Sequence, residues 1–144
     1  MDALTHAIET FVSSDNNPIS DSLALHAIDM IGTHLRDATY SGSDIEPRGQ
    51  MLLASCMAGM AFANSFLGIV HAMAHAVGGM FPVHHGMTNA ILLPYGMRFN
   101  SVLLPNRYRR IAVALGVNAG GRSETEVVED GIAAVQTLAH DCGL

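Results

Sequence analysis

The stretch GQMLLASCMAGMAFANSFLGIVHAMAHAVGGMFPVHHGMTNAILLPYGM, residues 49–97, contains no Asp, Glu, Lys or Arg. Gly68 and the loop Phe81-Pro82-Val83 divide it into three helical pieces. The first, with Pro47 in its opening turn, carries Met51, Leu52, Met57, Met60 and Phe62 and is apolar nearly all round, a pattern that predicts burial at the centre of a bundle. The second spans about Ile69 to Gly78, with Gly78-Gly79 as its expected stop. The third starts at His84 and His85 and runs through Asn89, Ile91, Leu92 and Leu93, with a kink expected at Pro94. The window Met51 to Val70 has the length of a membrane span. Ser55, Asn64 and Ser65 interrupt it, no basic flank follows it, and Ala54, Ala58, Gly59 and Ala61 suit close packing of helices in a soluble bundle.

Outward from this stretch the pattern stays helical. Leu4, Ala7, Ile8 and Phe11 form an amphipathic stripe over Asp2 to Val12. Asn17-Pro18 reads as an N-cap with proline in the first turn, opening a helix through Leu23, Ala27, Ile28, Ile31 and Leu35. Pro105 opens another helix over Tyr108, Ile111, Ala112 and Leu115, and Ser123 with Glu126 stands at capping-box spacing before the last, through Val127, Val128, Ile132, Val135 and Leu138. No segment reads as a strand and no repeat is present, so the expected fold class is all-α, a compact helical bundle.

Composition narrows the functions. The 144 residues are 49% hydrophobic and 14% charged, which excludes disorder and points to surface that belongs in an interface. The formal net charge is -6 and all seven basic residues are arginine. Neither a phosphate-neutralising nor a polybasic surface is available, so nucleic acid and anionic membrane are poor partners. Without lysine, Schiff-base chemistry and a P-loop are excluded. Cys56 and Cys142 form no Cys-x-x-Cys motif, and the first residues lack the features of a signal peptide; the expected setting is reducing and cytoplasmic.

The candidate chemistry lies in the histidines. Asp2 and His6 stand four apart, as do His71 and His75, so each pair projects from one helix face. Such spacing serves a helical metal clip, and it is also common in solvated surface pairs. On the apolar second helix a buried imidazole must be satisfied, by a metal or by a backbone carbonyl, or it costs roughly 1 to 3 kcal/mol. His85 at a helix start adds a further candidate ligand. Both His71 and His75 can ligate, or one can ligate while the other handles protons; spacing does not decide between them.

Met1-Asp-Ala-Leu-Thr-His-Ala-Ile-Glu9, Asn17-Pro-Ile-Ser-Asp21, Met51-Leu-Leu-Ala-Ser55, Ala58-Gly-Met-Ala-Phe62, Gly68-Ile-Val-His-Ala-Met-Ala-His75 and His85-Gly-Met-Thr-Asn-Ala-Ile-Leu-Leu-Pro94 together resemble, in order, the helical C-terminal domain of the iron-containing (group III) alcohol dehydrogenases, of dehydroquinate synthase-like fold. The match covers about Met1 to Leu115. The resemblance implies metal ligands at Asp2, His6, His71 and His85, a non-ligand active-site histidine at His75 near nicotinamide and substrate as a proton relay, and a substrate-lining aromatic at Phe62. His84 stands where the family commonly has proline and is read as a surface or outer residue. The implied activity is NAD(P)-dependent interconversion of a primary alcohol and an aldehyde, with Fe(II), or zinc, polarising the substrate oxygen.

The resemblance further implies that residues 1–144 are a helical metal- and substrate-binding domain, a fragment lacking the N-terminal nucleotide-binding domain and the last C-terminal helices, since no Gly-x-Gly-x-x-Gly follows a strand. The expected partners are a small alcohol or aldehyde, the nucleotide-binding domain of the complete enzyme and further copies of the chain, and the isolated chain is expected to be inactive and to self-associate. Two other readings stand beside this one: a glycerol-dehydrogenase-like zinc enzyme, against which the full ligand set argues, and a non-catalytic helical metal-binding module.

Overall fold

Asn17 sets the first corner. Its side chain accepts from the N–H groups of Ile19 and Ser20 while the Ser20 hydroxyl answers the Asn17 N–H, and Pro18 supplies a pre-set first turn. The computed structural model describes residues 1–144 and contains helices only: α1 (Asp2–Val12), α2 (Pro18–Tyr40), α3 (Ile45–Phe62), α4 (Ile69–Met80), α5 (His85–Ser101), α6 (Pro105–Ala114) and α7 (Glu124–Asp141). The all-α expectation holds. So does the capping box of α7, where Ser123 and Glu126 exchange side-chain and backbone bonds. Pro94 lies inside α5, which continues through it to Ser101.

The central helix is α1, not α3. Leu4, Ala7, Ile8 and Phe11 are buried as their stripe predicts, but Thr5, Glu9 and Thr10 on the remaining faces are buried too. Helix α1 packs against α2, α3, α4, α5 and α6. Each large side chain it buries contributes roughly 1.5 to 3 kcal/mol. Helix α3, apolar all round in sequence, lies at the edge of the bundle and, beyond Pro47 in its first turn, buries one stripe of small residues, Ala54, Ala58 and Ala61, against α1 and α2. Leu52 remains 75% exposed, and Leu53 and Met60 also face outward. The small stripe is what allows close approach, and the larger apolar residues are left on the far side.

A second expectation is corrected in α4. The helix continues through Gly78 and Gly79 to Met80 and stops at Phe81, whose φ of -132° and ψ of 145° are extended. Pro82 is the cause: its ring disfavours helical geometry at the residue before it. The glycine pair weakens the helix without ending it.

Apolar surface is plentiful. Phe66, Met80, Phe99, Val102 and Leu103 are all exposed, in keeping with the low charge fraction. No helix is long and apolar enough to cross a membrane.

Candidate metal centre

Three helix starts meet at one corner of the bundle. Helix α1 presents Asp2 and His6, α4 presents His71 in its first turn, and α5 presents His85 at its first position with Asn89 one turn on. Asp2, His6 and His71 each offer a ligand atom, and those atoms lie within 4.8 Å of one another. His85 joins at the rim: its Nε2 stands 3.8 Å from Asp2 Oδ1, and its ring centroid is 5.4 Å from that of His71. The four residues assigned to a metal by resemblance are therefore brought together.

Each imidazole is oriented by a neighbour. His6 Nδ1 donates to the Asp2 carbonyl at 2.9 Å, a bond that requires the proton on Nδ1 because a carbonyl only accepts. Burial pushes the His6 imidazole below its ordinary pKa, outweighing the opposing pull of that bond. His71 is buried, with Nδ1 2.6 Å from Glu9 Oε2 and Nε2 3.1 Å from Asn89 Nδ2. The Asn89 amide nitrogen also donates to Asp2 Oδ1 at 2.7 Å and lies 3.0 Å from His85 Nε2.

Glu9 and Asn89 escaped the reading of the sequence. Glu9 is 2% exposed and serves as a cap from another helix: Oε1 accepts from the Val70 N–H at 2.7 Å and Oε2 from the His71 N–H at 3.1 Å. The N-cap residue itself, Gly68, has no side chain to do this, and a Cβ there would lie 2.8 Å from Glu9 Oε1. Burial pushes the Glu9 carboxyl up, but the bonds from His71, Val70 and Gly68 outweigh it and hold the group below the usual carboxylate range. Its one sequence signal is an acid one turn after His6 among the apolar residues Ala7, Ile8 and Phe11. Asn89 stands one turn after His85, and its Oδ1 is buried without a partner.

The remaining predicted residues surround this corner. Phe62 ends α3 with its ring centroid 4.9 Å from that of His6, partly exposed on the open side. His75 is exposed, with ring centroids 5.2 Å from His85 and 6.0 Å from His71, and stands outside the group of converging ligand atoms. His84 is exposed at the N-cap of α5 and makes no capping bond.

One carboxylate and three imidazoles make a donor set suited to a divalent first-row cation. The fit is supported by the convergence of Asp2 Oδ1, His71 Nε2 and His85 Nε2 around a single amide NH2 group, which has only two hydrogens to offer three candidate ligand atoms.

Residues 1–144 match the family described as "Fe-containing alcohol dehydrogenase family, C-terminal". The chain is 45% identical to the 1,3-propanediol dehydrogenase of Klebsiella pneumoniae over 144 residues, all of this chain and 37% of that protein. It is 38% identical over 144 residues to the NAD-dependent methanol dehydrogenase of Bacillus methanolicus, again its full length and 38% of the relative. Among solved structures, a 1,3-propanediol oxidoreductase superposes with a TM-score of 0.97 at 45% identity, over 99% of this chain and 37% of the other. The chain thus spans a little over a third of the length of these relatives. With the family match over residues 1–144, the similarity to these relatives and the shared helical architecture in agreement, the chain belongs to the Fe-containing alcohol dehydrogenase family, aligning with its C-terminal part.

Proposed function

We propose that this chain is the metal- and substrate-binding domain of an NAD(P)-dependent alcohol dehydrogenase that interconverts a primary alcohol and an aldehyde. The observation that carries the reading is the meeting of Asp2, His6 and His71, with His85 at the rim, at one corner formed by three helices. These four residues would hold the ion, Fe(II) by family, with zinc suited to the same donors. When bound, the ion supplies Lewis acidity that polarises the substrate oxygen.

The chain's own residues supply the surroundings. Phe62, against His6 on the open side, gives an apolar wall for the carbon chain of a small alcohol. His75, exposed beside His85, is placed to pass a proton between the site and water, which supports its role as a relay near the nicotinamide. The nucleotide, NAD or NADP, would come with the nucleotide-binding domain of the complete enzyme. That domain and further copies of the chain are the partners proposed for the exposed apolar surface. A reducing, cytoplasmic setting completes the proposal, supported by the two free cysteines.

Metal analysis of the chain purified without chelator tests it, alongside His71→Ala and His85→Ala. The expected result is bound metal in the wild type and affinity lowered in both variants by at least the 10- to 100-fold or so seen when outer partners are lost. Equal metal content in all three would overturn the ligand assignment. Mixed with NAD and short alcohols, the 144 residues alone are expected to show no turnover, and robust turnover would contradict the need for a second domain.

A further inference from the structure

We infer that Glu9 is a positioning residue: its carboxylate fixes His71 as the tautomer protonated on Nδ1, so that the Nε2 lone pair points at the metal position. The inference rests on His71 being a ligand, and it assigns work to a buried residue outside the ligand set.

A neutral imidazole carries one proton, and the partner of each ring nitrogen decides where it sits. An ionised carboxylate accepts only, so Glu9 Oε2 at 2.6 Å from Nδ1 demands the proton there. Nε2 is then left as an acceptor, facing the Asn89 amide that also serves Asp2 and His85. Two further contacts hold the carboxylate in register: the Val70 and His71 N–H groups fix both of its oxygens at the start of α4. The same group therefore sets the backbone turn that carries His71 and the ring orientation of its side chain. Glu9 and His71 side chains are each only 3% exposed, so water does not compete for the bond. Orienting partners of this kind typically govern metal affinity by about 10- to 100-fold.

The test is nitrogen NMR of the 15N-labelled 144-residue chain before and after Zn(II), for the wild type and Glu9→Gln. In the metal-free wild type, His71 should show a protonated Nδ1 and a bare Nε2. Glu9→Gln presents an amide that no longer acts only as an acceptor, so the single tautomer should give way to a mixture, and Zn(II) should bind about 10- to 100-fold more weakly by titration. A wild-type His71 protonated on Nε2 overturns the inference, as does a folded variant unchanged in tautomer or in affinity. Should Glu9→Gln fail to fold, the wild-type tautomer decides alone. A wild type that takes up no Zn(II) would count against the metal reading, while its nitrogen shifts would still decide for or against Glu9.

Discussion

The corner where α1, α4 and α5 meet and the side formed by α2, α5 and α7 use charged groups in opposite ways. On the latter side Arg36 pairs with Asp141 at 2.7 Å and Arg98 with Glu129 at 3.0 Å, all four side chains at least 36% exposed. At the former, Glu9 and His71 are paired at 2.6 Å with both side chains 3% exposed. Exposed pairs gain little because water screens them and side-chain freedom is lost on pairing. A buried polar pair must overcome desolvation through several well-made bonds, and Glu9 makes three. A largely apolar core tolerates such a group where a site needs it, and α1, buried on most of its faces, also supplies two of the four candidate ligands.

Breaking the buried pair should have the largest effect. Glu9→Leu strands two backbone N–H groups and the His71 imidazole, and is expected to lower stability by about 3 to 5 kcal/mol in urea denaturation. A loss no larger than that of an exposed pair would erase the distinction between the two regions. Next comes Gly68→Ala, whose Cβ would sit 2.8 Å from Glu9 Oε1. Because that oxygen is pinned by the Val70 N–H, the crowding should cost about 1 to 3 kcal/mol and weaken Zn(II) binding along with it. A neutral substitution would mean that the carboxylate moves freely.

Caps and exposed pairs give smaller numbers. Asn17→Ala removes the cap of α2 and should cost about 1 kcal/mol by thermal unfolding, without changing metal affinity. A change in affinity would couple this cap to the metal corner. Arg98→Ala should change stability by less than about 1 kcal/mol, since both partners are half exposed.

The same contrast governs what could be read without a structure. Caps are local, so Asn17 with Pro18, and Ser123 with Glu126, mark the starts of α2 and α7 in the sequence itself. Burial is not local. In α3 every face is apolar, so the pattern holds no phase, and only packing reveals that the alanine stripe is inside and Leu52 outside. In α4 the glycine pair looked like a stop, yet the steric effect of Pro82 on Phe81 placed the end. At the site, the four candidate ligands are legible through ordered motifs. Glu9 was not, because its partner lies 62 positions away and helical spacing carries no information over that distance. Asn89 had a weak signal, one turn from His85, but its convergence on Asp2 and His71 is a tertiary fact.

X-ray absorption at the metal edge of the loaded wild-type chain tests the central claim most directly, that α1, α4 and α5 assemble one metal site. The account predicts scattering from imidazole rings together with oxygen, with the imidazole contribution falling in His71→Ala and again in His85→Ala. A spectrum of oxygen ligands only, or one that neither substitution alters, would contradict it.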